Sequence, residues 1–547
     1  MNRKSIGSGA DGMAATGVNL DAIIQRADLA VGEGMVSGVQ GEERIGIAHL
    51  REREFFAKAL RKPDFQRETQ QWSPAKIVDL VAAFLDRQLV PAVILWRAAD
   101  LNFVVDGAHR LSALLAWMYD DYGDGTRSQK MFGPHIPPEQ DALAKKTRRL
   151  IEKHIGKFAD LDAYTEHRGA RDAQQLQRIR NLSATWVVAQ WVPAATKDGA
   201  EDSFFKINGA ATPLENTEKR ILISRGSASA IASRAIAHGG KGHAYWGHFD
   251  GDRQISISEA GERIYGLLYK PPLADGPIDT LDVPVAGKGY SQLPFVFDLV
   301  NSVNDPRVKD STSATAKDKL AKDEDGDKTV QYLSAVLDSV SRVTGKYSGS
   351  LGLHPVIYFY TKGGSFSPWA YLAWTRIIDD LWAAKRFNAF CDCRPELEKY
   401  LWADKWAMTE IIHKMGSGSR STPVLLRYWQ FVLELLLTGK TAAQVTKAVN
   451  SDPAWQFLAV KTPVIRPAGE APKRRFGAKT ATSAIWDAAL PGAPRCVECN
   501  GYWHRNSFTN DHKSNLRDGG DARPSNLGIV HPYCNSAYKD FKAKAAS

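Results

Sequence analysis

Residues 495–542, "RCVECNGYWHRNSFTNDHKSNLRDGGDARPSNLGIVHPYCNSAYKDFK", decide how the end of this chain folds. They open with Cys496 and Cys499 and close with His531 and Cys534, two x-x-spaced pairs about thirty residues apart. Three thiolates and one imidazole make a common tetrahedral zinc set, and His in place of a fourth Cys keeps the chemistry intact. With four protein donors no coordination position is left for a substrate, so this zinc would be structural. A plain zinc ribbon needs only a hairpin between its halves. This stretch carries Asp511-His512, a Gly519-Gly520 turn, Asn526-Leu527, and Asn535 directly after the last ligand.

The rest of the chain sets limits on that site. A length of 547 residues predicts two to four domains. Hydrophobic residues make up 44% and charged residues 24%, as in soluble globular proteins, and no run of 18 or more apolar residues predicts a membrane span. The Gly/Ala/Ser-rich first forty residues lack the apolar segment of a secretory signal. Five cysteines are too few and too odd in number for a disulfide framework. Three of them belong to the terminal pairs, which points to metal use in a reducing compartment and to the cytoplasm. Net charge is +10, and the last 87 residues hold 14 Lys/Arg against 7 Asp/Glu. A basic tail suits a polyanion, with DNA or RNA first, or is simply a solvated basic surface.

Outward toward the N-terminus, residues 1–45 read as a flexible lead-in with one short helix in "NLDAIIQRADLAV". Ser73-Pro74 opens an amphipathic helix carrying Ile77, Leu80, Val81, Phe84 and Leu85. Short apolar strands follow at 92–96 and 102–105, then the turn "DGAHR" and the helix "LSALLAWMYDDY". "ATWVVAQWV" reads as a strand, and "SFFKINGAATPLENTEKRILISR" as a turn leading into a helix. Residues 304–329 are polar and read as a mobile surface loop; the glycine of their "DEDGD" is misplaced for an EF-hand. From 330 to 450 the pattern is helical, and its aromatic stripes read as core. "TGKT" (438–441) lacks the first glycine and the preceding strand of a phosphate-binding loop, so Gly439 reads as a helix end and Thr441 as the next N-cap. Cys391 and Cys393 are too tightly spaced for a zinc pair and read as structural. Residues 461–494 read as a Pro/Gly-rich basic linker.

The order DH, GG, NL and a C-x-x-C-N ending with a following Lys539 resembles the HNH endonuclease family over roughly the last fifty residues. The resemblance implies a ββα-metal domain that hydrolyses DNA. Such hydrolysis needs an activated water, a cation on the phosphate oxygens and a group that orients the base. By the resemblance His512 would be the general base, and Asp511 and Asn535 would hold one Mg²⁺ or Mn²⁺ through oxygen. Asn526 would orient the His512 loop by hydrogen bonding. Many family members carry His where this chain has Asn535.

"FVVDGAHRL" (103–111), with "FQRETQQW" about forty residues before it and "FFKINGAATPLENTEKR" about a hundred after, resembles the N-terminal domain of GmrSD-type modification-dependent restriction enzymes. That domain belongs to the ParB/sulfiredoxin-like superfamily with a D-G-Q-x-R signature. The resemblance implies a nucleoside triphosphate site lined by Gln66, Arg67, Asp106, Gly107, His109, Arg110 and Asn208. Ala108 replaces the usual Gln, which bears on hydrolysis more than on phosphate binding. A helix N-terminus beside an arginine is in any case a suitable phosphate cradle.

The expected molecule is therefore a multi-domain α+β protein. Residues 46–225 form a ParB/sulfiredoxin-like α/β domain, 226–460 a mainly helical region, and 495–547 a zinc-stapled HNH domain. The expected activity is DNA cleavage regulated by nucleotide, in restriction or anti-phage defence, with modified phage DNA among the substrates. A symmetric double-strand cut would need two sites and so a homodimer. The alternatives are a DNA-binding regulator that does not cut, and a nuclease whose front domain is an interaction platform indifferent to nucleotide.

Overall fold

The computed structural model describes residues 17–27 and 41–546, except 65, 67–68, 70–71, 135, 164–172, 194–195, 212–215, 274–275, 289–292, 305–319, 417–419, 459–475, 515 and 517–518. The chain is mixed α/β and mostly helical. It divides into two compact units, Met1–Glu215 with Lys241–His243, and Asn216–Gly240 with Ala244–Ser547. Among the described residues no helix is long and apolar enough to cross a membrane.

The first unit is built on a six-stranded sheet of order β1-β3-β5-β4-β6-β2. Its strands are β1 (Arg26–Ala27), β2 (Arg44–Gly46), β3 (Leu60–Pro63), β4 (Val93–Ala98), β5 (Leu101–Asp106) and β6 (Trp186–Trp191). β5 lies between β3 and β4 and reads Leu-Asn-Phe-Val-Val-Asp with its four middle residues buried, as a strand covered on both faces must. β1, β3 and β5 run parallel, while β4 is antiparallel to β5. The loops leaving β3 and β5 therefore emerge at the same end of the sheet. The Pro74–Leu85 helix starts as its sequence predicts: the Ser73 side chain accepts from the Lys76 N–H at 3.4 Å, and proline takes the first turn. Its Ile77, Val81, Phe84 and Leu85 join Val93, Leu95, Val104, Leu111 and Leu114 in one core.

The flexible lead-in expected over residues 1–45 is corrected within residues 17–27. Val18, Leu20, Ile23 and Ile24 are buried in the core of the first unit. Asp21 beside them is buried with Arg26 at 2.8 Å and Lys62 at 2.6 Å. Residues 1–16 and 28–40 of that lead-in lie outside the described residues. A second correction concerns "SFFKINGAA", which continues the Lys197–Ala211 helix instead of turning.

The second unit is a stack of helices around a large aromatic core, in which Trp374 stacks on Trp429 at 5.2 Å and meets Tyr358 edge-on at 5.0 Å. The aromatic stripes are core, as their spacing predicts. Thr441 caps its helix in a reciprocal capping box with Gln444, which disposes of "TGKT" as a phosphate loop. The tail is not a separate body on a linker. Cys496, Cys499, Tyr502, Val530, Cys534 and Tyr538 belong to the same apolar cluster as Phe390, Cys391 and Leu397. Of the expected 461–494 linker, the part through residue 475 lies outside the described residues, and Ala478–Ala489 is a helix whose Trp486 is fully buried. Of the expected mobile loop 304–329, residues 305–319 lie outside the described residues, and the remainder is fixed by Asp323. That carboxylate accepts from the Thr329 N–H at 2.8 Å and hydroxyl at 2.6 Å at the start of the Asp327–Val343 helix.

Candidate metal centre and nuclease hairpin

The first zinc pair sits on a tight turn. The Cys496 N–H donates to Gly501 O and the Asn500 N–H to Cys496 O, both at 2.9 Å. The second pair begins where β8 (Leu527–Val530) ends, and the Asn535 N–H donates to His531 O at 3.0 Å. Four donor atoms, from Cys496, Cys499, His531 and Cys534, all lie within 4.8 Å of one another and all four residues are buried. His531 Nε2 lies 3.1 Å from Tyr502 O, so Nε2 carries the proton and donates it to that carbonyl. Nδ1 is then left facing the sulfurs, 3.3 Å from Cys499 Sγ and 3.9 Å from Cys534 Sγ. Soft thiolates, an imidazole oriented from behind and closed burial fit a structural zinc ion. Interactions with the neighbouring Cys391, Cys496 and Cys534 thiols hold the Cys499 thiol well below its ordinary range.

A wall of this centre comes from a helix that the sequence did not connect with it. The Phe387–Ala403 helix carries Cys391, Arg394 and Glu398. Cys391 is buried in the same cluster as Cys496, Cys499 and Cys534. Arg394 and Glu398 form a fully buried ion pair at 2.8 Å. The guanidinium donates to Leu351 O at 2.6 Å, Gly352 O at 2.9 Å and Tyr502 O at 3.3 Å, and lies 3.3 Å from His531 Nδ1. With a divalent ion bound, its positive charge would offset the surplus negative charge of three thiolates. Glu398 accepts from the Tyr502 N–H at 2.7 Å and the Tyr358 hydroxyl at 3.2 Å. A Cβ on Gly501 would stand 2.2 Å from Arg394 Nε, so only glycine lets the turn pass the arginine. Farther along the tail, Tyr533 donates to Asn388 and Tyr538 to Asp392 through their hydroxyls, at 2.8 and 2.6 Å. The sequence did offer one signal: an i, i+4 Arg/Glu pair in an otherwise aromatic helix.

Between the zinc pairs, β7 (Thr509–His512) and β8 form an antiparallel hairpin in which Asp511 pairs with Gly528 and His512 with Leu527. A helical turn from Cys534 and the Lys539–Ala546 helix follow. Side chains two apart on a strand share a face, as do those four apart on a helix. Accordingly Asn535 Nδ2 donates to Thr509 Oγ1 at 3.2 Å, and Lys539 Nζ meets Asp511 Oδ2 at 2.8 Å and His512 O at 2.6 Å. Asp511 and Asn535 are thus on one face, though Lys539 holds the carboxylate. Asn526 closes the hairpin loop. Its amide donates to Ser514 O at 3.0 Å and Asp521 O at 2.7 Å, and its oxygen accepts from the Ser514 N–H at 2.8 Å. His512 is half-buried, and among the described residues its ring has no hydrogen-bond partner.

In the first unit, Gln66, Asp106, Gly107, His109 and Arg110 gather where β3 and β5 end. Gly107, at φ 92°, turns the chain from β5 into the Ala108–Tyr119 helix in a conformation that side chains resist. A Cβ there would also press to 2.7 Å from Val93. Arg110 bonds Asp106 at 2.5 Å and Ala92 O at 3.0 Å. His109 stacks on Trp72 at 5.6 Å, and Gln66 Nε2 donates to Val105 O at 3.4 Å. Among the described residues, Gln66 Oε1 and Arg110 Nε are buried without hydrogen-bond partners. The Gln66 loop is held by Arg26, which donates to Pro63, Asp64 and Gln66 carbonyls while paired with Asp21. The sequence missed these supports because they lie in the stretch expected to be flexible. Arg67 lies outside the described residues, as does the side chain of Asn208, whose backbone sits in the Lys197–Ala211 helix. That helix packs against β5.

Comparison of the chain with family models, with curated proteins and with solved structures gives no match.

Proposed function

We propose that the chain is a divalent-cation-dependent DNA endonuclease working from the β7–β8 hairpin, with a nucleoside triphosphate at the end of β3 and β5 as its regulator and anti-phage restriction as its setting. The observation that carries the reading is the hairpin itself: a strand ending in Asp511-His512, its loop clamped by Asn526, and a helix laying Asn535 along the same strand. His512 would take the proton of the attacking water, which its half-exposed, unengaged ring can reach. Asn526 would keep that ring in line by fixing the loop from Ser514 to Asp521. A hard cation on the oxygens of Asp511 and Asn535, which fit Mg²⁺ or Mn²⁺ by donor type, would supply charge on the scissile phosphate. In the first unit Gln66 Oε1 and Arg110 Nε, buried with no hydrogen-bond partner among the described residues, support a polar ligand at the start of the Ala108–Tyr119 helix.

A second reading is a DNA-binding regulator that does not cut. It is favoured by Lys539, which occupies the Asp511 carboxylate, and by the Asn535 amide turned to Thr509. Relaxation of supercoiled plasmid with Mg²⁺, with and without nucleoside triphosphate, separates the two. Nicking by the wild type that disappears in His512→Ala is expected. Binding of DNA with no nicking of any substrate, modified phage DNA included, would establish the regulator instead.

A further inference from the structure

The loop that follows the Asp327–Val343 helix is tied to both arms of the candidate nuclease hairpin. On one side Ser507, just before β7, meets the Thr344 hydroxyl at 2.9 Å and accepts from the Gly345 N–H at 2.7 Å. On the other, the Ser536 hydroxyl beside Asn535 donates to Ser348 O at 2.7 Å, and the Tyr533 N–H donates to Ser350 O at 3.0 Å. Between these ties the loop carries Lys346 and Tyr347 into solvent. Lys346 Nζ lies 5.9 Å from the Phe508 ring and has no carboxylate partner among the described residues. Tyr347 is 55% exposed, and Trp382, on the Pro368–Ala383 helix, is 41% exposed. Both rings border Gly349, where a Cβ would stand 2.8 Å from Tyr347 Cε1 and 3.7 Å from Trp382 Cη2. Trp382 is held by the Arg342 guanidinium, 5.3 Å over its ring and paired with Asp379 at 2.8 Å, and by Phe387 edge-on at 5.3 Å.

We infer that Tyr347 and Trp382 form a stacking platform for unpaired bases of a DNA strand lying along the β7–β8 hairpin, with Lys346 on the strand's phosphates. The inference rests on the reading of the tail as DNA-facing. A ring already fixed by its neighbours, as Trp382 is, loses little freedom when a base stacks on it, and every base offers a π-face. An ammonium with no carboxylate beside it suits a polyanion, as does the chain's net charge of +10. Two rings and one ammonium match one or two nucleotides, whereas a stable protein interface buries about 1,200 Å² or more. Bases inside a duplex are already stacked, so the platform takes a strand that is single or locally opened. The ties to Ser507 and Ser536 set it beside Thr509 and Asn535, on the strand and helix that carry the candidate site.

The test uses the full chain in buffer with zinc and without Mg²⁺, so that binding is read apart from cleavage. Fluorescence anisotropy follows a labelled thymidine oligonucleotide of about 12 nucleotides, an abasic strand of the same length and a blunt duplex. The wild type is expected to bind the thymidine strand more tightly than either of the others. Tyr347→Ala and Trp382→Leu, the latter keeping an apolar contact for Phe387, should each weaken the thymidine strand by about 5–100-fold and leave the abasic strand unchanged. Tyr347→Phe should stay within about twofold of wild type, because its ring still stacks. Equal binding of thymidine and abasic strands by the wild type would overturn the inference, as would ring variants that bind like wild type or a chain that binds no strand. So would self-association in sedimentation that the ring variants abolish, which would make the patch a contact between copies. If Trp382→Leu does not fold, Tyr347→Ala in its exposed loop carries the same outcomes. Plasmid nicking with ring variants that bind normally removes the platform and keeps the nuclease; base-dependent binding without nicking does the reverse.

Discussion

Replacing Glu398 tests whether the tail is welded to the helical core. Glu398→Ala removes the only carboxylate of a fully buried ion pair and leaves the Arg394 charge behind. Removing one partner of such a pair costs about 3–5 kcal/mol, since the remaining charge stays desolvated. The Tyr502 N–H and the Tyr358 hydroxyl lose their acceptor as well. An orphaned donor costs about 1–3 kcal/mol alone, but these groups form one network and their costs do not add. A total of about 5 kcal/mol is expected, which at roughly 2 °C per kcal/mol for a large unit lowers its Tm by about 10 °C. Metal retention should fall too, because Tyr502 presents its carbonyl to His531 Nε2 while Glu398 holds its N–H. Loss of such an outer partner weakens metal binding by about 10–100-fold. The assay is thermal unfolding followed by near-ultraviolet circular dichroism, with zinc competition against a chromogenic chelator. The paired variant Arg394→Met/Glu398→Leu should cost less than the sum of its parts, since no lone charge remains. A Tm shift below about 3 °C for Glu398→Ala, with an unchanged chelator midpoint, would refute the reasoning.

Acid should weaken the second unit through His504, which burial holds down to about 4 against its ordinary 6.5. The folded state keeps the ring neutral, so its contribution is complete above pH 6.5 and declines as pH falls toward 4. The loss is roughly 3 kcal/mol, and His504→Gln should flatten that part of the profile in urea titrations at stepped pH. Asp21 also loses its contribution in acid, but in a lower pH window and because the fold favours its charged form. Although burial alone would raise it, Arg26 and Lys62 hold its carboxyl well below the usual range. Its contribution is therefore present above the ordinary carboxylate value and is lost only in stronger acid. Asp21→Asn should cost the first unit about 3–5 kcal/mol, a difference that stays flat from pH 7 to about 5 in denaturant titrations. Asn526→Ala should lower plasmid nicking by about 10–100-fold while leaving bound zinc unchanged, since the amide holds the loop and not the metal.

What could be read before folding was what local chemistry dictates. Ser73-Pro74 and Thr441 cap helices because a hydroxyl reaches an N–H three residues on, whatever lies around them. The apolar runs around Val93–Ala98 and Leu101–Asp106 form strands because they are short, β-rich and bounded by turn residues. The Cys496/Cys499 and His531/Cys534 pairs announce a metal centre because each pair is set by a two-residue spacer. The buried parts of the lead-in and of the linker, Val18–Ile24 and Ala478–Ala489, escape a sequence reading for the complementary reason. Gly, Ala and Ser around Val18–Ile24, and Pro and Gly around Ala478–Ala489, describe loose chain unless a partner surface is known, and composition holds no record of partners.

The sequence by itself determined the donors of the metal centre, the hairpin residues Asp511, His512 and Asn526, and the turn at Gly107. Each rests on a spacing of a few residues that survives in any fold. Only the tertiary structure decided that Cys391, Arg394 and Glu398 wall that centre, from about a hundred residues upstream of Cys496, and that Asp21 anchors the Gln66 loop. A buried charge or thiol takes its meaning from the groups that surround it once water is excluded. Those groups are chosen by packing, not by adjacency along the chain.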